Sequence, residues 1–583
     1  MKKNILIIGI ITICFTLCSC DDELDYIPQD TLTDQGISFS KTEMEMYANQ
    51  YYPSLPGYLS HWAWLSDGST DNNVPAGFGS NGLIYGIQTV PSSGGGWGWG
   101  NIRSTNFFLN NYKKSKASIA DQNKYVGEVL FFKSMFYFNL MKNFGDLPWL
   151  SNTLNVDSEE LYGERISRSV VTDSILKILD ESIAKLPTKT QTETGRIHKD
   201  VARLFKARVA LYEGTWEKYH QGTPFAGDGR DIDRFFTQAR DAAEAVMNSG
   251  YSLYSDFSDP LIPDGFSYWR LFSTPSNEIT GISEVLLARR YDSELGLVFW
   301  GQQIRTSGGP SGQGISKSLV DAYLCSDGLP TALSPLYLGD DTLEDLVTDR
   351  DPRLRMTVST PGVPIKVFDG NVDYYQLPFL TLNPWPNTTG YQIYKWLNPF
   401  IAPEDASGLN TTTAVPIFRY AEALLIAAEA HEELGTCTQE VLDRTINLLR
   451  TRAGVATLDA NVGFSDPNWD FPNLSPLLNE IRRERRVELA FEGFRFDDLF
   501  RWAASHLISS PRLGSKVEQW RDRPFSPEYD VDAVQVNSEG YISPYFHILG
   551  EGNLEFDPSK NYLYPLPIDQ LTLNPNLTQN PGY

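Results

Sequence analysis

Apolar positions recur at helical spacing in two stretches of the chain, at about 121–250 and 417–504. In the first stretch, apolar and aromatic side chains crowd residues 131–140, and the chain then reaches Gly145 and Pro148. A glycine just past a helix and a proline soon after it are typical of a helix end. The pattern therefore predicts a helix that ends at Gly145. Three more helices are predicted after it, at 169–186, 200–212 and 234–247.

The second stretch begins with apolar residues at the i, i+3, i+4, i+7 and i+8 spacing of one helix face. They are Ile417, Tyr420, Ala421, Leu424, Leu425 and Ala428. Gly435 is predicted to end this helix, and further helices are predicted at 445–452 and 474–491. Paired helices with alanine at their contacts and short turns resemble tetratricopeptide (TPR) hairpins stacked as a solenoid, although no strict repeat motif recurs.

Between the helical stretches lies an irregular region at about 251–416 that is rich in Gly, Pro, Asn, Tyr and Trp. Short strands are predicted there at 284–288, 356–358 and 392–396. A long loop region in an ordered protein is usually functional or disordered, and the aromatic content argues against disorder. The expected fold is therefore mostly α. In it, a TPR-like helical scaffold at about 40–250 and 417–583 carries a loop-rich, ligand-binding region within one domain, 20–583.

The first residues have the pattern of an export signal. Two lysines precede an apolar run at 5–17, which is shorter than the ~20 residues that a membrane-spanning helix needs. The run leads into a Leu-Cys-Ser-Cys sequence that resembles a bacterial lipobox and implies cleavage of residues 1–19 and lipidation of Cys20. Acidic residues at 21–23 resemble the export tag of lipoproteins on the outer face of a Gram-negative outer membrane. The alternative is an ordinary secreted protein with a chance cysteine.

Composition narrows the classes of partner. The formal net charge is −24, and because nucleic-acid binding needs clustered Lys and Arg, nucleic acid is not an expected partner. Aromatic residues make up 13% of the chain, enough for both a core and stacking on a ligand. Once residues 1–19 are removed, the cysteines are Cys20, Cys325 and Cys437, so one disulfide at most is expected and the state of the last two stays open.

Four glutamates, Glu480, Glu484, Glu488 and Glu492, form one row on a predicted helix. Like charges at this spacing destabilise an isolated helix by ~0.2–0.5 kcal/mol per pair, so partners are expected. Six arginines lie on the same helix or just beyond it: Arg482, Arg483, Arg485, Arg486, Arg495 and Arg501. The row is therefore interpreted as a structural ion-pair network. The alternative is a surface glycosidase in which two of the glutamates, ~5–9 Å apart, are the acid and base.

A Gly/Trp segment at 94–101 is the main candidate for ligand contact. Trp97 and Trp99 are framed by glycines and followed by Asn101. The flat C–H face of a sugar ring stacks on such rings, and an amide bonds sugar hydroxyls. The alternative is that the two tryptophans pack against the following helix, which is expected to begin near Ser104.

Aromatic residues of the irregular middle region are further candidates for ligand contact. They are Trp269, Tyr291, Trp300, Trp385, Tyr391 and Trp396. Taken singly, a large aromatic residue is more often part of a core than of a binding surface.

The sequence contains no clear metal-binding or catalytic motif. Asp228, Asp231 and Asp233 offer oxygen ligands for calcium, but their surroundings do not match an EF-hand loop and a solvated acidic turn is the preferred interpretation. The histidines are scattered, and no zinc, phosphate-loop, dinucleotide or nucleophile-elbow motif occurs. No catalytic residue, metal site or cofactor is therefore predicted.

Blocks of sequence spread over nearly the whole chain carry a family resemblance. The most specific block, 481–502, contains Glu484-Arg485-Arg486 and the run from Glu488 to Gly493. The other blocks are 132–148, 195–212, 319–328, 350–354, 419–430, 447–454 and 566–583. Together they resemble the SusD/RagB family of outer-membrane nutrient-binding lipoproteins.

This resemblance implies a lipid-anchored lid over a SusC-type TonB-dependent porin, which captures an oligosaccharide, or in some members a peptide, without catalytic residues. In the starch-binding relative, the segment that matches 97–101 forms part of the glycan platform. Family comparison also favours the stretch from Tyr291 to Trp300 as ligand-facing. The preferred hypothesis is a surface glycan-binding lipoprotein. The alternatives are a peptide-binding lid, a surface glycosidase and a purely structural lid that seals the transporter.

Overall fold

The structure is a computed structural model. It describes residues 39–57, 67, 70–75, 78, 81–255, 268–298, 313–375, 387–401, 411–521 and 531–583. The signal segment and Cys20 lie outside these residues. None of the helices in the described ranges has both the length and the apolar composition that crossing a bilayer requires.

The fold is mostly α-helical, as predicted. The helices in the described ranges are α1 Lys41–Asn49, α2 Gly100–Asn111, α3 Ile119–Phe144, α4 Arg168–Lys185, α5 Lys199–Tyr219, α6 Asp233–Met247, α7 Lys317–Ala322, α8 Leu343–Val347, α9 Pro352–Thr357, α10 Tyr420–Glu433, α11 Gln439–Asp443, α12 Ile446–Ala453, α13 Pro476–Glu488, α14 Arg495–Arg501, α15 Ser505–Ser509, α16 Phe546–Leu549 and α17 Ile568–Leu573. The strands are β1 Asn73–Pro75, β2 Val285–Arg289, β3 Gln313–Ile315, β4 Pro364–Phe368, β5 Asn371–Tyr374 and β6 Val415–Arg419.

The scaffold helices pack in a running series, each against the next. Helix α3 packs on α4, α4 on α5, α5 on α6, α6 on α10, and α10 on α13. This is the TPR-like stacking that paired amphipathic helices with short turns predict. The helices predicted from periodicity are confirmed, with ends that differ by a few residues, except that α5 continues seven residues beyond its predicted end.

Helix α3 explains why its sequence is so densely aromatic. It runs for 26 residues between the Ser118 N-cap, whose side chain accepts a hydrogen bond from the Asp121 amide, and Gly145, where φ is +73°. Phe131, Phe132 and most of their neighbours are buried on more than one side of the helix. A helix that is covered on several faces carries apolar residues around its circumference.

Close contact between α5 and α6 depends on Gly214. A Cβ built on this glycine would lie 2.9 Å from the Phe236 ring and 3.2 Å from the Phe235 Cβ, nearer than ordinary van der Waals contact. The small side chain therefore sets how closely these two helices approach.

The middle of the chain has a hydrophobic core of its own. A second cluster of buried residues is separate from the core of the scaffold helices. It contains Phe272, Tyr323 and Trp396 of the middle region and Phe491, which lies three residues after the end of α13. The described part of the region at about 251–416 is therefore better packed than a purely loop-built insertion.

Two of the predicted elements in this region are wrong. Residues 356–357 belong to helix α9, and no strand forms at 392–396, where Ile393 makes only an isolated bridge with Val358. Pro352 at the first turn of α9 and the Asp351 side chain that caps it start a helix there. The predicted strand at 284–288 is confirmed as β2.

Strand β2 pairs antiparallel with β6, which joins the middle region to the scaffold. Ile417 lies in β6 and not in the helix predicted to begin there, since α10 starts only at Tyr420. The pairing with β2 therefore overrides the helical spacing of Ile417 and Tyr420. The remaining pairs, β1 with β3 and β4 with β5, are also antiparallel.

Candidate functional site

The Gly/Trp segment forms a tight turn ahead of helix α2. Gly94, Gly95 and Gly96 have φ values of 71°, 54° and 87°, a left-handed conformation that glycine adopts without steric cost. The Trp97 amide donates a hydrogen bond to the Gly94 carbonyl at 3.0 Å. Helix α2 begins at Gly100, four residues before the expected start.

The two tryptophans of this turn have different surroundings. Trp97 is 8% exposed, and its ring centroid lies 5.0 Å from that of Phe144 and 5.3 Å from that of Trp99, in edge-on contacts. Trp99 is half-buried and lies 6.1 Å from the Tyr137 ring. Asn101 is exposed in the first turn of α2. Trp97 thus packs against the helices, while Trp99 and Asn101 keep accessible surface.

Tyr291 lies apart from this turn, in the second core. Its side chain is buried, and its amide donates a hydrogen bond to the Ser276 Oγ at 2.8 Å. Beyond it, Asp292 and Leu297 close a turn through paired backbone bonds of 2.7 and 2.8 Å, with Leu295 exposed at the tip. The accessible part of this stretch is therefore the turn at 292–297, and not the Tyr291 ring.

The other aromatic candidates divide into core residues and residues that the structure does not describe. Tyr391 and Trp396 are both 1% exposed, and the Trp396 Nε1 donates to the Phe491 carbonyl at 2.9 Å. Trp300, Trp385 and the Trp269 side chain lie outside the described residues.

The glutamate row is the centre of a buried ion-pair network. The Glu488 carboxylate is fully buried, and guanidinium nitrogens of Arg353, Arg419 and Arg452 lie 2.9, 2.6 and 2.6 Å from it. The Tyr268 hydroxyl also donates to it at 3.1 Å. Three cations from three separate parts of the chain therefore offset one buried carboxylate.

The rest of the row is paired in the same way. Arg353 and Arg450 bind Glu484 at 2.6 and 3.1 Å, and Arg450 also binds Glu480 at 3.0 Å. Glu492 accepts from Arg419 at 2.7 Å and from Lys395 at 2.8 Å.

The predicted ion-pair network is present, but most of the expected partners are wrong. Of the arginines on or just beyond the same helix, Arg483 lies 3.1 Å from Glu480. The others bind carboxylates outside the row. Arg482 binds Glu433, Arg485 binds Asp498, Arg486 and Arg495 bind Asp71, and Arg501 binds Glu429 and Asp498. Side chains from α9, β6 and α12 reach the row instead, because the fold brings these elements around α13.

The protonation state of Glu488 bears on the glycosidase hypothesis. Burial alone would raise the pKa of Glu488, but Arg452, Arg419 and Arg353 outweigh it and hold the pKa well below its ordinary value. A glycosidase acid needs a raised pKa and space for a substrate beside it. A carboxylate enclosed by three guanidinium groups has neither, so Glu488 has a structural role.

The acidic turn pairs with its own neighbours. Asp228 lies 2.5 Å from the Arg230 guanidinium and accepts from the Ser167 hydroxyl at 3.2 Å. The Asp231 carbonyl accepts from Arg234, at the start of α6. Within the described ranges, no group of His, Cys, Asp and Glu side chains has a metal-binding arrangement.

Cys325 and Cys437 are not joined to each other. Cys325 is buried and Cys437 is partly buried. Burial raises the pKa of both thiols, that of Cys437 to about 12. Neither is a reactive thiolate at neutral pH.

A cavity of about 520 Å³ lies between the scaffold and the second core. Helix α3 contributes Phe138 and Lys142, and α5 contributes Arg208. Phe494 comes from just before α14, and Asp497 comes from α14 itself. Lys142 pairs with Asp497 at 2.7 Å, and Arg208 binds Glu422 through two bonds of 2.6 and 2.8 Å. Two residues singled out from the sequence, Trp396 and Glu492, line this cavity, but the sequence does not bring them together with the others, because the lining residues meet only in the folded chain.

A family model described as the SusD family matches residues 286–583, which is more than half of the chain. This chain belongs to the SusD family. The match includes most of β2, most of the second core, the glutamate row and the C-terminal residues.

Relatives and solved structures of the family agree with this assignment. The SusD-like protein P2 of Formosa agariphila is 25% identical over 483 residues, covering 79% of this chain and 75% of the relative. A SusD-like carbohydrate-binding protein of Bacteroides fragilis has a TM-score of 0.69 at 22% identity, over 92% of this chain and 99% of that one. A laminarin-binding SusD-like protein has a TM-score of 0.55 at 19% identity, over 93% and 99%. At these identities, the structural likeness establishes the SusD fold alone.

Proposed function

We propose that this SusD-family protein is a non-catalytic cell-surface lipoprotein that binds oligosaccharide or polysaccharide and delivers it to a SusC-type TonB-dependent outer-membrane transporter. Family membership over more than half of the chain carries the proposal. The description of two relatives as carbohydrate-binding and laminarin-binding supports a glycan as the cargo.

The proposed glycan contacts are the accessible groups of the Gly/Trp turn and of the turn at 292–297. Trp99 offers part of its ring for stacking, and Asn101 offers an amide for hydroxyl groups. Trp97 supports this surface from behind through its contact with Trp99. Tyr291 positions the neighbouring turn at 292–297, and Trp269 and Trp300 remain proposed contacts.

The proposed anchor is lipid on Cys20, which ties the chain to the outer membrane with its folded part outside the bilayer. Each buried acyl methylene contributes ~0.8 kcal/mol to membrane affinity, so several chains on one cysteine give stable anchoring. Metabolic labelling with a radioactive fatty acid tests this proposal. We expect label on the wild-type chain and none on Cys20→Ala.

Calorimetry of residues 21–583 against a panel of neutral oligosaccharides tests cargo binding. We expect binding of at least one glycan and about a tenfold or greater loss of affinity in Trp99→Ala. The magnitude is taken from the stacking of a nucleic-acid base on one aromatic side chain, which contributes ~1–3 kcal/mol. Tyr162→Ala is the matched control, since Tyr162 is 49% exposed and lies outside the proposed surface. If the protein binds peptides and binds no glycan, the proposed glycan cargo is wrong and the peptide-binding alternative takes its place.

Co-expression with a SusC-type transporter from the same genome tests delivery. We expect the two proteins to purify together in detergent and Trp99→Ala to leave the complex intact while reducing glycan uptake. If uptake stays unchanged in Trp99→Ala and in its double variant with Asn101→Ala, the protein is a structural lid and the glycan contacts proposed above are wrong.

A further inference from the structure

A second cavity, of about 510 Å³, lies on another part of the molecule. It is bounded by one face of α13, by α7, by the loops around 331–340 and 466–470, and by Tyr541. None of its lining residues belongs to the Gly/Trp segment or to the turn at 292–297. Its volume is within the ~300–1,000 Å³ of ordinary ligand sites.

Charged groups of both signs line this cavity in equal number. The cations are Lys317, Arg482, Arg483 and Arg486, and the carboxylates are Asp321, Asp340, Asp466 and Asp470. Four cations against four carboxylates leave no net charge. Two close pairs lie within the lining, Arg483 with Asp466 at 2.5 Å and Lys317 with Asp321 at 2.7 Å. Arg482 and Arg486 are also paired, but with Glu433 and Asp71 behind the lining.

Three aromatic residues, Trp469, Tyr337 and Tyr541, line the same cavity and keep partial exposure. The polar atoms of two of them are engaged: the Trp469 Nε1 donates to the buried Glu480 at 3.3 Å, and the Tyr541 hydroxyl donates to Asp340 at 2.8 Å. These bonds fix the edges of the Trp469 and Tyr541 rings. The Lys317 and Lys516 ammonium groups lie 4.8 and 5.6 Å from the Tyr541 ring centroid, so the Trp469 ring is the one that offers ring carbon to a ligand.

We infer that this cavity is a second saccharide site, which takes an uncharged sugar unit between the aromatic residues and the paired charges. The inference rests on the proposed function and adds a site to it. A charged ligand would have to displace one of the ion pairs, and an apolar ligand would desolvate charged groups without compensation. Sugar hydroxyls both donate and accept, so they can bond to carboxylates and guanidinium groups at once.

Calorimetry with the glycans that bind the wild type separates this site from the surface around Trp99. The variants are Trp99→Ala, Asn468→Trp and the double variant. Asn468 is an exposed lining residue, so a tryptophan there fills the mouth of the cavity and leaves the ion pairs in place. We expect Trp99→Ala to retain binding and Asn468→Trp to weaken this remaining binding about tenfold or more. If Trp99→Ala alone abolishes binding, or Asn468→Trp leaves the remaining binding unchanged, the inference is wrong.

If no oligosaccharide binds the wild type, the proposed function is wrong. Binding of monosaccharides then tests the cavity independently. Saturation-transfer NMR with D-glucose, D-galactose, D-mannose and D-xylose is compared between the wild type and Asn468→Trp, with glucuronate as the charged comparison. Transfer to an uncharged sugar that disappears in Asn468→Trp supports the cavity as a sugar site. Transfer that is absent in the wild type, equal in both proteins, or confined to glucuronate overturns the inference.

Discussion

Arg419 and Glu488 form a buried ion pair, with the Arg419 Nη1 2.6 Å from the Glu488 Oε1 and side-chain exposures of 3% and 0%. Arg419 ends strand β6, and Glu488 ends helix α13. The pair therefore joins the strand that holds the middle region to the helix that carries the glutamate row. Separation of the two regions would leave both charges without their partner, so the contact favours one arrangement of the two regions.

Glu488→Gln tests the structural role of this network. Removal of one partner leaves Arg353, Arg419 and Arg452 buried with less compensation, so we expect a loss of about 3–5 kcal/mol in the free energy of unfolding. Urea denaturation followed by circular dichroism measures it. The control is Glu539→Gln at an exposed position, which should change stability by less than about 0.5 kcal/mol. Equal stability of the two variants would contradict the role assigned to Glu488.

The existence of most scaffold helices could be predicted from the sequence, and the partners of the glutamate row could not. Local spacing of apolar residues and an end signal such as Gly145 report helices because both act within a few turns of the chain. Arg353 lies 135 residues from Glu488 and Arg419 lies 69 residues from it. No local pattern encodes such contacts. From the sequence alone, the arginines on α13 or just beyond it are therefore the expected partners of the glutamates.

A second prediction concerns pH and Glu217. Burial and the negative charge of Glu213 raise the pKa of Glu217 to about 7, whereas an unfolded glutamate titrates near ~4.3. Because the folded pKa is the higher one, the stabilising contribution is complete below about pH 4 and is lost as the pH rises through about 7.

Glu217→Gln should remove this loss. Between pH 5 and pH 9 we expect the wild type to lose stability relative to the variant, and the variant to be more stable by roughly 1–2 kcal/mol at the upper end. Urea titrations at each pH measure the difference, with Glu159→Gln, an exposed substitution, as the control. Parallel pH profiles for wild type and Glu217→Gln would contradict the assignment.

A third prediction separates the two tryptophans of the Gly/Trp turn. Trp97→Ala removes a ring that is 8% exposed and packs on Phe144, so we expect a loss of about 3–5 kcal/mol in unfolding free energy. Trp99→Ala, at a half-buried position, should cost clearly less and act mainly on glycan affinity. Thermal and urea unfolding of both variants provide the comparison. A larger destabilisation by Trp99→Ala would show that the two rings have been assigned the wrong way round.

This difference between neighbours also marks what the sequence leaves undecided at the candidate site. Trp97 and Trp99 have the same glycine context, and either one alone suits stacking or packing. Which ring turns inward depends on the left-handed backbone of Gly94, Gly95 and Gly96 and on Phe144 at the end of α3. The burial of Tyr291 depends in the same way on the second core, which the irregular sequence of the middle region does not reveal.

A fourth prediction concerns the contact between α5 and α6. A methyl group at Gly214 would press on the Phe236 ring, so Gly214→Ala should destabilise the fold by about 1–3 kcal/mol even though alanine favours helix. Gly281→Ala is the matched control, because no atom lies within 4 Å of the Cβ that it adds. Urea unfolding measures both. Stabilisation by Gly214→Ala would mean that the two helices have room to separate at no cost.

The central claim is that this SusD-family chain holds a glycan without breaking it. The most direct measurement is calorimetric titration of the purified protein with the oligosaccharide panel, followed by chromatography of the recovered sugar. We predict saturable binding of at least one glycan, weakened by Trp99→Ala, and recovery of that glycan at its original length. Shortened sugar that Glu488→Gln abolishes, or no binding to any glycan, would contradict the claim.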